Sequence, residues 1–349
     1  MPATLHTSRK RSRGSVAGIA LAACVGEPLV DLGPLVRATI VRRPSSRNRS
    51  PYVGDIKLGC GREAICHFPS QDMGGKCIPG ADALVRIARD AKGEPVGANA
   101  TGKYGTPKCE FILQLLRTPG EGGCWVGAHP SIGEKVANAL LTSGALADDL
   151  GPCASLRREV TGFAGTDMRV DFVIDHVAEA KAGKALDPGD SQSVVHTLVE
   201  VKTVVDADTD GIFEPTSGVE APATTTAVFP WGRPAQKGPE GEKVVSARAI
   251  RHVRELTTVA RRRRDAIKAG ADAGTNADAR VAAAVLFVAP RADVGAFAPN
   301  AEKCPSFARY LHEAAGAGVH LIARRVVWGE AGGPDEGRAF DGGPLPVRA

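Results

Sequence analysis

The sequence predicts a mixed α/β (α+β) protein in two parts: a small strand-rich unit over residues 35–127, then a larger unit over residues 128–328 in which helices cover a mixed sheet. Three observations predict it. Short alternating apolar runs, punctuated by Gly and Pro, fill the first part, as in a small barrel or twisted sheet. Strand-like and helix-like stretches alternate after Glu134, the pattern of a mixed sheet under helices. The chain has 349 residues and is 43% hydrophobic, which suffices for two domains of ordinary size.

Residues 1–34 read as a basic leader or a disordered tail. No Asp or Glu occurs from Met1 to Gly26, and Arg9-Lys10-Arg11 and Arg13 precede the apolar stretch Val16 to Val25. Such a segment fits an organellar transit peptide, a secretory signal, or a tail upstream of the true start. The apolar stretch is too short to span a bilayer. The expected location is intracellular: a mitochondrion or plastid if the leader is an address, otherwise cytoplasm or nucleus. The basic run Arg42 to Ser50 reads as an extended loop open to nucleic acid.

The first unit's runs lie near Ile56, Ala64-Ile65-Cys66, Ala83 to Ile87, Phe111 to Leu116 and Trp125-Val126. A helix is expected over Glu134 to Leu146, followed by strands near Glu159, Asp171 and Glu200. Stretches Ala178 to Ser193 and Asp206 to Thr226 lack apolar periodicity and read as surface loops. A long helix over Ser246 to Ala269 carries Ile250, Val253, Leu256 and Ala260 at helical spacing. A strand over Val281 to Ala289, a helix over Ser306 to Ala315 and a strand over Val319 to Val327 complete the unit. The Gly/Pro/Asp-rich segment 329–349 is expected to be a disordered tail.

Chemistry concentrates at two of these strands. On a strand, side chains two apart share a face, so Glu200 and Lys202 in Val199-Glu200-Val201-Lys202 point the same way. If the strand carrying Asp171 is a neighbour, Asp171 and Glu200 can hold one Mg²⁺ (or Mn²⁺), with Lys202 beside the water or phosphate. Alone, Glu-x-Lys is a common pattern of solvated strands.

The spaced segments Leu156-Arg157-Arg158-Glu159-Val160, Arg169-Val170-Asp171-Phe172 and Val199 to Val204 resemble those of the sugar fermentation stimulation protein (SfsA) family. So do Ala227-Val228-Phe229-Pro230, the stretch Arg248 to Leu256, and Ala284 to Val288, over roughly residues 35 to 328. The resemblance implies DNA-binding proteins with an N-terminal OB-like small β-barrel followed by a PD-(D/E)XK nuclease-like α/β/α domain with a mixed central sheet. It makes Asp171 and Glu200 the metal carboxylates and Lys202 the catalytic lysine. It adds Glu159 as a candidate further acid, and Arg248, Arg251 and His252 as phosphate contacts. The chain departs from the family at His67 to Met73, where the family's Asn-Thr-Gly core is lost, and at Ala249, where the family has Gly.

A net charge of +5 and a pI near 8.8 suit an acidic partner such as DNA or RNA. The eight cysteines include no Cys-x-x-Cys pair or zinc spacing, which favours reduced thiols over a structural metal. Two functions remain open: a Mg²⁺-dependent nuclease, and a non-catalytic DNA-binding regulator that keeps the nuclease fold. A carbohydrate enzyme pairing Glu159 with Asp171 is disfavoured, because no sugar-stacking aromatic accompanies them. No membrane partner is expected.

Overall fold

The structure is a computed structural model that describes residues 26–70, 73–118, 123–177, 194–208, 225–271 and 276–349. The leader reading for residues 1–25 and the loop readings for 178–193 and 209–224 lie outside them. Among the described residues no helix is long and apolar enough to cross a membrane.

After β1 (Val30–Asp31), five strands form a closed barrel: β2 (Val36–Arg42), β3 (Val53–Leu58), β4 (Glu63–His67), β5 (Asp82–Ile87) and β6 (Phe111–Arg117). The first three make an antiparallel meander, β5 returns beside β2, and β6 pairs with β5. Closure comes from a parallel seam, Cys66↔Phe111 and His67↔Ile112. This is the strand order of an OB-fold. A barrel this small has room inside only for side chains, here Ile40, Ile56, Ala64, Phe68, Val85, Leu113 and Leu116. A short strand, β7 (Trp125–Gly127), extends β6 and leads into the second unit.

The second unit is a seven-stranded mixed sheet between helical layers. Its helices begin with α1 (Ser131–Thr142) and the single turn α2 (Ala147–Leu150). Then come β8 (Ser155–Thr161), β9 (Arg169–Val177) and β10 (Val194–Thr203), an antiparallel meander. Small strands β11 (Asp206–Ala207), β12 (Thr225–Phe229), β13 (Gln236–Lys237) and β14 (Lys243–Val244) precede α3 (Ala247–Lys268). The chain closes with β15 (Val281–Ala289), β16 (Val294–Pro299), α4 (Pro305–Ala317), β17 (His320–Trp328) and β18 (Arg338–Pro344). Strand order is β1-β18-β17-β15-β10-β9-β8, with β10, β15 and β17 parallel.

Burial on both faces explains the unbroken apolar run of β15, since alternate residues enter different cores. Ala283, Val285 and Phe287 join the core under α3 and α4, while Ala284, Leu286 and Val288 join the core under α1. The helix boundaries have local causes. Ser246 caps α3, its Oγ accepting the Ala249 amide at 3.2 Å, and Pro305 occupies the first turn of α4. Gly318, at φ 100°, ends α4 in the left-handed region.

The barrel is seated on the sheet. Leu84, Leu115 and Trp125 belong to the same core as Val201 and Leu286. Pro290 O accepts both the Gly127 amide and Trp328 Nε1 at 2.9 Å, and the buried Lys76 and Asp206 pair at 2.9 Å across the boundary.

Several expectations need correction. Residues 30 and 31, assigned to the leader, form β1 on the far sheet. The helix expected from Glu134 to Leu146 starts and ends about one turn earlier. Asp206–Ala207 and Thr225–Thr226, read as loop, are strand residues. The segment 329–349, expected to be disordered, contributes β18, which pairs with β17 and β1 and buries Ala339 and Phe340. Its glycines are tolerated because Arg325, donating to Gly342 O at 2.8 Å, and the Arg324–Asp341 ion pair hold that end of the strand on β17. Phe340→Ala is therefore expected to destabilise the protein by about 3 kcal/mol in chemical unfolding. A disordered tail would show no change.

Candidate active site

Asp171 sits where the sheet comes apart. The β9–β10 ladder runs from Val194↔Val177 to Val199↔Phe172 and stops. The β8–β9 ladder passes from Arg158↔Phe172 to Val160↔Val170, skipping the level of Asp171. Asp171 is thus the one residue of β9 with no ladder partner on either side. Opposite it, Glu159 takes φ 51°, a left-handed kink unusual for a residue with a Cβ. The Asp171 carboxylate takes over the lost pairing: Oδ2 accepts the Val201 amide at 2.7 Å. Because β10 stays paired with β15 through Thr203, only the β9 side opens.

Glu200 and Lys202 project on the α3 side of β10, as period-two alternation requires. Glu200 is 2% exposed, and its Oε1 accepts from Lys202 Nζ and lies 2.5 Å from His252 Nδ1. Glu200 Oε2 and His252 Nε2 are buried and have no hydrogen-bond partner. Burial pushes the Glu200 carboxyl up, but the His252 hydrogen bond and the Lys202 charge outweigh it and hold it below the ordinary value. Asp171 goes the other way. Burial, then the neighbouring Glu200 charge, raise it from 3.8 to about 6 against the opposing Val201 hydrogen bond and Lys202 charge.

The expectations for single residues divide. Asp171, Glu200 and Lys202 come together as the sequence spacing implied. His252, expected to touch phosphate, is 1% exposed and instead braces Glu200 from below. Arg248 and Arg251, four and one residues before it on α3, are exposed. Glu159 turns outward to Arg169 at 3.6 Å, with more than half of its side chain exposed. A further acid near the pair is Glu134 in the first turn of α1, whose charge also raises Asp171. Its place depends on Gly133, where a Cβ would come within 2.0 Å of Thr203 Oγ1, so α1 can lie directly on β10 only with Gly there. His196, on the same strand as Glu200, bonds Asp175 at 2.8 Å, away from the site.

Among the described residues no three His, Cys, Asp or Glu side chains already form a cage for a metal ion. The donors nevertheless fit a hard divalent cation: Glu200 offers an unpartnered buried oxygen, and the repulsion felt by Asp171 is what a cation relieves. Mg²⁺ commonly takes only one or two carboxylates and fills its shell with water or phosphate.

The raised Asp171 carboxyl carries a stability consequence. The unfolded chain loses this proton near 3.8 and the folded protein near 6, so stability falls as pH rises through that window and is level above it. Asp171→Asn removes this slope. Without divalent ions at pH 8 it is expected to be more stable than wild type by about 2–3 kcal/mol in urea unfolding.

Comparison with known proteins agrees with the fold. The sugar fermentation stimulation protein RE domain model matches residues 275–332. The sugar fermentation stimulation protein homolog of Parasynechococcus marenigrum is 25% identical over 304 residues, 86% of this chain and 90% of that protein. The Geobacter sulfurreducens homolog is 24% identical over 295 residues, 84% and 90% of the two chains. The solved structure of Pyrococcus furiosus SfsA in complex with Ca²⁺ superposes with a TM-score of 0.55 at 18% identity, covering 93% of this chain and all of that one. With the barrel and the helix-covered sheet in place, the chain is similar over most of its length to the sugar fermentation stimulation proteins.

Proposed function

We propose that this chain is a metal-dependent nuclease that hydrolyses phosphodiester bonds in DNA or RNA. The observation that carries the proposal is the opened β9–β10 fork, which brings Asp171, Glu200 and Lys202 to one point. Two carboxylates facing a phosphate would weaken binding by repulsion unless a cation offset them. Asp171 and Glu200 would hold a Mg²⁺ or Mn²⁺ ion, in keeping with the Ca²⁺ bound by Pyrococcus furiosus SfsA. When bound, such an ion supplies an acidified water and neutralises charge on a phosphoryl oxygen.

The remaining work falls to the chain's own side chains. His252 fixes the rotamer of Glu200 through Oε1 and leaves Oε2 free. The ammonium of Lys202, in contact with Glu200, orients the attacking water and offsets charge that develops on the phosphoryl group. Glu134, half-buried at the start of α1, holds a water by hydrogen bonding. Exposed Arg248 and Arg251 contact backbone phosphates beside the site.

The test is cleavage of labelled single- and double-stranded DNA and RNA in Mg²⁺ and in EDTA. Wild type is expected to cut only with the metal, and Lys202→Ala to lower the rate by roughly 100-fold or more. Salt-sensitive binding without cutting by either protein would overturn the nuclease reading and leave a binding protein.

A further inference from the structure

The chain has three tyrosines. Tyr310 is buried on α4, whereas Tyr52 is 39% exposed and Tyr104 is 87% exposed. Both exposed rings lie on barrel loops, Tyr52 in the β2–β3 connection and Tyr104 in the β5–β6 connection. The ladder registers put these loops at one end of the barrel. Val53 pairs with His67, His67 with Ile112, and Ile87 with Phe111, so the start of β3, the end of β4, the start of β6 and the end of β5 meet there. Asn48 Nδ2 donates to Pro107 O at 3.5 Å, linking one loop to the other.

Each loop is held in shape. The buried Asp55 carboxylate accepts Ser45 Oγ at 2.5 Å and the Ser46 amide at 2.8 Å, which folds the first loop back on β3. In the second, Gly102 N donates to Thr106 O at 2.8 Å and Gly105 N to Gly102 O at 3.0 Å, closing a tight turn with Tyr104 at its apex. Charge follows the same surface. Residues 43–52 contain three arginines and no acid, and residues 95–109 contain Lys103 and Lys108 and no acid. Arg49, Lys103 and Lys108 are exposed, and Lys103 Nζ lies 5.7 Å from the Tyr104 ring centre.

Hydrogen bonds tie this surface to the segment that leads into α1. Arg43 donates to Pro51 O at 2.7 Å and to Ser70 O at 2.8 Å, and Ser70 Oγ donates to Ala128 O at 3.0 Å, three residues before α1.

We propose that these two loops form a platform for single-stranded nucleic acid, with Tyr52 and Tyr104 stacking on unpaired bases and Arg49, Lys103 and Lys108 pairing with phosphates. The proposal rests on the nucleic-acid reading above and narrows it to unpaired strands, because a duplex keeps its base faces stacked internally and offers these rings nothing to cover. Exposed aromatic rings beside a basic track are the usual means of holding single strands without sequence preference.

The test is fluorescence anisotropy with the full chain in EDTA. It uses a labelled single strand longer than the roughly 16 nucleotides that one such barrel can cover, DNA and RNA in turn, and the matching duplex. The Tyr52→Ala/Tyr104→Ala protein is expected to bind single strands roughly tenfold or more weakly, with duplex affinity little changed. Tyr52→Phe/Tyr104→Phe is expected to bind like wild type, which separates stacking from any loss of fold. Replacing Arg49, Lys103 and Lys108 together by Ala is expected to lower the slope of log affinity against log salt by about 2. Wild-type single-strand affinity in the double Ala protein, with binding instead lost in Arg248→Ala/Arg251→Ala, would overturn the platform and leave the nucleic-acid reading intact. Absence of binding to every oligonucleotide by wild type would overturn both.

Discussion

The hydrogen bond from the Val201 amide to Asp171 Oδ2 is the interaction on which the rest of the site depends. A buried strand cannot leave an amide unsatisfied without cost, so β9 and β10 can separate only where a side chain replaces the missing carbonyl. Asp171 is that replacement. The same bond that lets the sheet open aims a carboxylate into the opening, and structural and chemical roles become inseparable at one residue. The kink at Glu159 releases Asp171 from its other neighbour and serves the same end.

Around that opening, burial sets the two acids against each other. Glu200 is compensated by His252 and Lys202 and favours its charged form, whereas Asp171 lies among acids and resists ionisation. The pair stores repulsion that a multivalent cation would relieve, so the fit to a hard ion rests on the protein's own charge arrangement as much as on its donor set. His252 matters because it is buried. With only one ring nitrogen engaged, it anchors Glu200 without competing for the carboxylate oxygen left open.

Much of this was legible in the sequence because it depends on local periodicity. The run Val281 to Ala289, the cap at Ser246 and the period-two placement of Glu200 and Lys202 are short-range signals, and the fold carries them through. What stayed hidden depends on contacts between distant elements. Glu134 is an unremarkable acid at a helix start until Gly133 brings α1 onto Thr203, and the spacing of His252 does not tell a buried brace from a surface contact. β18 is hidden in the sequence because its glycines and prolines resemble those of a loop, while its strand character comes from pairing with β17 and, at Arg338 and Ala339, with β1.

The pairing of β1 with β18 has a consequence for how the protein is made. Val30 lies opposite Ala339, so the central sheet uses both the first and the last described strands, and the barrel is threaded between them. During synthesis the barrel can close on local pairings while the sheet waits for residues that leave the ribosome more than 200 positions later. Until then β17 stands as an unpaired edge rich in apolar side chains. A nascent or prematurely ended chain would offer that edge to other strands, and the last residues act in effect as a guard against aggregation.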